Sequence, residues 1–345
     1  MKKSEALAIL VGTQIGAGVL GLPYATSEVG LVPALAVLIG VMLLMLFTAY
    51  IVLDLSAKMN GAQMSTIAQR VLGKPGGWIM LISITIMSFG ALLAYISGMG
   101  GVLNGLFGIN EKLGAVLFWL FASLIVYVGI EMSGKSELAM SLAMLVLFLL
   151  VAILLLPKGD IHKAMYFNRE GLWKIIGVSI FALGCHSIIP DVYKSLGNYR
   201  EMKKIVLLAF LIPTAVYALF MTSFLIVFGK ETPQIATQAL ASLYGSFGNI
   251  VGNLIPLFAI TTSYIGIGLA QLSNLQEFLK LPRNVAFTLT VVPPLVVYLL
   301  GMGDFVSVLG IAGDTGDLMA FIILPIVIYI TTRLLPIGSE EAEAT

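Results

Sequence analysis

Apolar residues occupy this chain in ten long runs, most of them near the roughly 20 residues that carry a helix across a bilayer. The runs fall at 5–27, 31–55, 77–103, 113–129, 138–156, 172–196, 205–228, 247–278, 285–301 and 316–332. Short polar connections separate them. The pattern predicts an all-α polytopic membrane protein of about ten transmembrane helices, a single domain over 1–345. The third and eighth runs exceed one bilayer thickness, so they are expected to tilt or extend past it. Before the third run, Met64, Ile67, Ala68 and Val71 share one face of a short amphipathic helix that Gly73-Lys74-Pro75-Gly76 ends. Residues 231–244 have helical spacing and suit a lid over the outer face. The tail from 338 is small and acidic and reads as disordered.

Two of the runs are interrupted. In the first, Gly12-Thr13-Gln14-Ile15-Gly16-Ala17-Gly18-Val19-Leu20-Gly21-Leu22-Pro23 sets four glycines and a proline at membrane depth. Glycine costs a helix interior about 1 kcal/mol relative to alanine. Backbone groups freed in hydrocarbon need partners, so such a break survives only inside protein or beside a cavity. Alone, the stretch has two readings: a small-residue packing stripe through Gly12, Gly16 and Gly21, or an unwound binding segment. The sixth run repeats the anomaly, with Phe181-Ala182-Leu183-Gly184-Cys185-His186-Ser187-Ile188-Ile189-Pro190-Asp191. The two breaks sit at corresponding places in five-span halves, about 5–157 and 172–333. Five is odd, so the second half enters from the opposite side, which makes a five-plus-five inverted repeat with broken helices 1 and 6. A matched pair of interruptions points to the midplane site of a secondary transporter. Half-helix N-termini suit a carboxylate, and unwound carbonyls suit Na⁺ or an ammonium group. A zwitterionic amino acid carries both poles.

Composition narrows the class. Of 345 residues, 59% are hydrophobic and 11% charged, against about 25% charged in soluble domains, and mean hydropathy is +1.02. The net charge of +1 gives no basis for a nucleic-acid partner, and the single cysteine, Cys185, excludes an internal disulfide or a cysteine metal cage. With the N-terminus inside, 13 of the 19 Lys and Arg residues face the cytoplasm. By the positive-inside rule both termini are expected there, in a cell membrane. No A-x-A-like cleavage site follows Met1-Lys2-Lys3, so the first run is expected to remain as an anchor. No phosphate loop, H-E-x-x-H or G-x-S-x-G is present, which argues against an enzyme and for no cofactor beyond a coupling ion. Oligomeric state is not readable.

The Gly12–Pro23 stretch resembles the first-helix motif of amino acid/auxin permeases and the related aromatic amino acid permeases. Residues 181–191, followed by Tyr193-Lys194 and Lys203-Lys204, are similar to their sixth helix and its basic exit loop. Gly310, Gly313 and Gly316 ahead of Phe321-Ile322-Ile323-Leu324-Pro325 resemble a late segment of the same families. The resemblance covers most of the chain. It implies the amino acid–polyamine–organocation superfamily and the leucine-transporter-type fold, although many members carry an eleventh span.

On that fold, N–H groups near Gly16, Ala17 and Gly18 are expected to hold the substrate carboxylate, with Thr13 and Gln14 offering carbonyls to the ammonium. Phe181 resembles the aromatic that closes over substrate, against the reading of an ordinary packing residue. Ala182 and Gly184 line the unwound part and leave room for a mid-sized apolar or aromatic side chain. Ser88, Gly90, Tyr95 and Ile267 are further candidates for lining the site. Ala259-Ile260-Thr261-Thr262-Ser263 puts a carbonyl and two hydroxyls on one helical face, hard donors suited to Na⁺. In sodium-coupled members of this fold they pair with first-helix carbonyls at positions that Gly12 and Ile15 match. Hydroxyls bonding their own helix are the alternative. His186 and Asp191 are the competing candidates for proton coupling. His162 lies in an outer loop as a solvated residue, and Asp54 and Glu131 sit near the boundary. Asp314 and Asp317 are expected to cap the tenth helix. The resulting expectation is a symporter of neutral, aromatic or branched amino acids coupled to Na⁺, or otherwise to H⁺. A membrane-embedded amino acid sensor, or another cargo on the same fold, are the other readings; scarce intramembrane acids argue against a cationic cargo.

Overall fold

In hydrocarbon, backbone polar groups must be satisfied within the protein, which leaves helices or closed barrels as spanning structures. The computed structural model describes residues 1–233, 235–301 and 312–334, and all regular structure among them is helical. The broken first span is α1 (Lys3–Gln14) and α2 (Ala17–Ser27), followed by α3 (Leu31–Lys58), α4 (Met64–Phe107), α5 (Glu111–Val128) and α6 (Ile130–Leu155). Short 3₁₀ turns lead to α7 (Leu172–Ala182) and α8 (Ile189–Leu196), the arms of the broken sixth span. Then come α9 (Tyr199–Phe228), α10 (Leu240–Leu279) and α11 (Arg283–Leu299). A wide π-helical segment, Ala312–Ile323, runs into α12 (Leu324–Leu334).

Among the described residues, eight helical stretches are long and apolar enough to cross a membrane, nine when α1 and α2 count as one bent span. The shorter α11, with 17 residues, stands where the ninth run was expected. Two corners fall where the sequence reading put boundaries. The amphipathic helix from Met64 ends at Gly73 (φ 74°, ψ −177°), where the third span takes over. A short helical arm from Leu240 ends at Gly245 (φ 54°), just ahead of the eighth span. Both corners use positive φ, which glycine adopts without a steric penalty. The connection 302–311 and the tail 335–345 lie outside the described residues.

Burial sorts the spans. The sixth span, α4 and α10 bury 72%, 72% and 78% of their apolar windows, whereas α5 and α6 bury 39% and 28%. The first three therefore form the interior together with α1, whose residues Ala8 to Gln14 are all buried. On α6, Leu142, Val146, Leu149 and Ile153 recur at helical spacing and are exposed, forming a stripe that suits acyl chains. In the interior, α10 lies along α4, α6 and α1, while α2 packs on α7 and α3 on α7 and α9. The two broken spans thus meet at the centre.

Candidate functional site

The first break is local. Ile15 (φ −77°, ψ 71°) and Gly16 (φ −116°, ψ −141°) leave helical geometry, and the two arms diverge by 44°. The first turn of α2, at Ala17 and Gly18, presents N–H groups that no preceding turn satisfies. The second break follows the same logic: α7 stops at Ala182, Leu183-Gly184-Cys185 is irregular, and a 3₁₀ turn at His186–Ile188 hands over to α8. Pro190 falls in the first turn of α8, where its missing N–H costs no helical bond. The arms touch through small residues. A Cβ on Gly18 would lie 2.6 Å from that of Ala182, and one on Gly16 would strike the Ser263 hydroxyl. The close contacts fall at Gly16 and Gly18, whereas a Cβ on Gly21, a member of the expected packing stripe, would only touch Val178 at 3.9 Å.

A tyrosine joins the breaks. The Tyr217 hydroxyl on α9 lies 2.7 Å from Gln14 O and 2.8 Å from Ala182 O. These carbonyls end α1 and α7, where helical partners run out. The Gln14 Nε2 donates to Cys185 Sγ at 2.9 Å, a second bridge between the broken spans.

Beside the first break, oxygen atoms gather from α1 and α10. The Thr262 hydroxyl donates to Gly12 O (3.0 Å) and Ala259 O (3.1 Å). The Ser263 hydroxyl donates to Gly12 O and Thr13 O, both at 2.9 Å. Gly12, Ala259, Thr262 and Ser263 are therefore brought together, and Thr13 contributes a carbonyl that the spacing did not point to. Ile15 is buried, its N–H bonds Val11 O, and neither hydroxyl donates to its carbonyl. Both hydroxyls cross to α1, and Thr262 also bonds the Ala259 carbonyl of its own helix.

A small central cavity is lined by Thr13, Met87, Tyr95, Phe181, Gly184, Ser187, Ile267, Asp317 and Phe321. Its free volume is about 10 Å³, room for one water molecule at most, so an amino acid enters only if these helices separate. Five residues of the sequence reading line it: Thr13, Tyr95, Phe181, Gly184 and Ile267. Ser88 does not; it is buried with its hydroxyl 3.9 Å from the sulfur of Met87, the neighbour that does line the cavity. Tyr95 hydrogen-bonds Ser263, which connects the cavity to the oxygen cluster.

Asp317 corrects the sequence reading. It does not cap the tenth span but lies within the π-helical segment, 1% exposed, in the cavity wall. Wide π turns interrupt helices mostly at functional positions, and an acid in an apolar span was the available signal. The scarcity of intramembrane acids argued from sequence therefore does not hold at the site itself. Tyr217 and Phe321, by contrast, sit in unremarkable apolar runs that carry no such signal.

The two proton candidates fall elsewhere. His186 Nε2 lies 3.0 Å from Met45 O and 2.9 Å from Thr48 Oγ1 on α3, and its ring stacks on Phe321 at 4.8 Å. It backs the cavity without lining it. Asp191 sits towards the far end of the sixth span, close to Gln63, Ser273, Lys194 and Glu277. Of the boundary acids, Asp54 accepts from the Tyr199 hydroxyl; the Glu131 and Asp314 side chains lie outside the described residues. His162 caps no interior group and is exposed.

Known proteins share this fold. The chain matches a crystal structure of MhsT in complex with L-phenylalanine with a TM-score of 0.75 at 18% identity, covering 98% of this chain and 90% of that one. This gives the leucine-transporter-type fold. The tyrosine-specific transport system 1 of Haemophilus influenzae is 29% identical over 94% of this chain and 87% of its own length. The tryptophan-specific transport protein of Pseudomonas aeruginosa is 26% identical over 91% and 83%, and glutamine transporter 2 of Aliivibrio fischeri is 22% identical over 94% and 88%. Residues 2–335 match the tryptophan/tyrosine permease family, whose members are permeases and not enzymes. With its broken central helices and multi-pass architecture, the chain belongs to the tryptophan/tyrosine permease family, a family of membrane amino acid transporters.

Proposed function

We propose that this permease imports a neutral aromatic amino acid together with Na⁺ by alternating access. The observation that carries the reading is the cluster of Gly12, Thr13 and Ala259 carbonyls with the Thr262 and Ser263 hydroxyls. It is an all-oxygen set of the kind that suits a hard monovalent cation. With Na⁺ present, the hydroxyls turn their lone pairs to the ion. The α2 N-terminus at Gly16, Ala17 and Gly18 takes the substrate carboxylate, and the Thr13 and Gln14 carbonyls face its ammonium. Phe181, Ala182, Gly184 and Ile267 hold the side chain. The relatives named for tyrosine and tryptophan support an aromatic cargo.

Ion and substrate sites share Thr13, and Ser263 reaches both Gly12 and the Tyr95 hydroxyl. Filling one preorganises the other, which is thermodynamic coupling. Alternating access then rocks two inverted five-span halves about this centre, in a cell membrane with both termini cytoplasmic. Proton coupling through Asp191 is the second reading, favoured by its Oδ2, which has no hydrogen-bond partner.

The test is uptake of labelled tyrosine and tryptophan into proteoliposomes, with Na⁺ and pH gradients imposed separately. Ser263→Ala is expected to weaken the Na⁺ dependence at least about tenfold, since a bond to a charged group contributes ~1.5–3 kcal/mol. Unchanged Na⁺ dependence sinks the sodium assignment. Accumulation driven by pH alone selects the proton. Binding without accumulation under either gradient identifies a sensor.

A further inference from the structure

Asp317 is left without a role by the ion cluster and the two helix breaks. It is the one acid among the residues that line the cavity, with no Lys or Arg among them. Its Oδ2 has no hydrogen-bond partner although the residue is 1% exposed. A buried oxygen in that condition carries its full desolvation cost until something donates to it, and an acid at membrane depth is retained for function. Its surroundings are mostly apolar: Met87 on α4, Ile267 on α10, Phe181 on α7 and Phe321 one turn away on its own segment. Tyr95 is the titratable group facing it across the cavity, and His186 lies behind Phe321.

Thr13, Tyr95 and Ser187 also line the cavity, but the Asp317 Oδ2 is the one unpaired buried side-chain acceptor in it, and with apolar and aromatic walls it describes a pocket for a ring that ends in a single donor. We propose that Asp317 Oδ2 is the specificity-determining acceptor for the side-chain tip of an aromatic substrate, a phenol O–H or an indole N–H. A carboxyl group has a free acceptor oxygen whether ionised or protonated, so the role does not depend on its charge. A substrate of the same shape without the donor leaves Oδ2 buried and unpaired. Sites built to hydrogen-bond a substrate O–H or N–H reject the analogue lacking it far more strongly than apolar pockets reject size changes. Phenylalanine is the analogue to exclude. This inference rests on the aromatic-substrate reading above.

The experiment is competition against labelled tryptophan uptake by the full chain in proteoliposomes, using tyrosine, phenylalanine, 4-fluorophenylalanine and 1-methyltryptophan. In the unaltered protein, tyrosine competes roughly tenfold or more better than phenylalanine and 4-fluorophenylalanine, and tryptophan better than 1-methyltryptophan, by the cost of an unpaired buried acceptor. Asp317→Leu brings the tyrosine-to-phenylalanine ratio near one while phenylalanine still competes. Asp317→Asn keeps an acceptor in place and keeps the preference. If 4-fluorophenylalanine competes as well as tyrosine, the inference is overturned, and that arm needs no variant to fold. An Asp317→Leu effect equal for every substrate also overturns it, and assigns the carboxyl to the shared ammonium or to proton carriage. Absence of uptake for every amino acid by folded protein is a different failure, that of the transport reading itself.

Discussion

Tyr217 does at the residue scale what neither broken span can do alone. Its single hydroxyl proton is shared between Gln14 O and Ala182 O, so both breaks are closed by one side chain from α9. Removing it takes away the donor to Ala182 O and leaves Gln14 O with only the Gly16 N–H, in a nearly dry centre. Tyr217→Phe is expected to destabilise the protein by about 1–3 kcal/mol, read as a lower thermal unfolding midpoint in detergent. An unchanged midpoint would mean that another donor reaches these carbonyls. Gly16 works by absence: any side chain there would meet the Ser263 hydroxyl, which joins the first break to the ion cluster. The Tyr217–Gln14 and Ser263–Gly12 bonds link residues more than 200 positions apart along the chain, so sequence spacing says nothing about them.

At the scale of elements, the sixth span is pinned at its far end. Lys194 on α8 pairs with Glu277 on α10 at 2.9 Å, and the same carboxylate accepts the Gln63 N–H at the start of α4 at 2.7 Å. An exposed ion pair alone contributes little, but a carboxylate accepting a backbone N–H contributes more. Glu277 therefore holds three helices that must separate if the centre is to open on that side. Cys185 is a built-in reporter of this opening, being the only cysteine of the chain and fully buried. Glu277→Gln is expected to raise the rate of Cys185 alkylation by N-ethylmaleimide about fivefold or more, from ~1–3 kcal/mol of lost bonding. An unaltered rate would show that the latch is elsewhere.

For the whole molecule, burial and lipid exposure are two faces of one arrangement. The interior helices carry the breaks, the glycines and the polar groups, and α6 turns Leu142, Val146, Leu149 and Ile153 outwards. A charge on that stripe meets hydrocarbon instead of a cavity. Val146→Lys is expected to cost about 2.5–3.5 kcal/mol at mid-helix, seen as a reduced folded yield from membranes, whereas Val146→Leu leaves the yield unchanged. The cavity of about 10 Å³ also makes transport a property of the whole fold. No single side-chain rotation opens room for an aromatic ring, so α4, the sixth span, α10 and the tenth span must move relative to one another.

Run length, the paired glycine-rich breaks and the hydroxyls of the eighth span were legible from sequence because each obeys a local rule. Bilayer thickness sets helix length, backbone satisfaction makes a break conspicuous, and helical periodicity puts Ala259, Thr262 and Ser263 on one face. Those rules determined the fold class and about half of the residues that line the centre. What only tertiary structure decided is which distant groups share that centre. The Thr13 carbonyl on Ser263, Tyr217 across both breaks, His186 turned to α3 and Asp317 inside the cavity all depend on helix rotation and on contacts across the bundle. An aspartate near a glycine at the start of a span obeys the capping rule by sequence. Only the wide turns of Ala312–Ile323 carry it inward, to where the bound side chain would end.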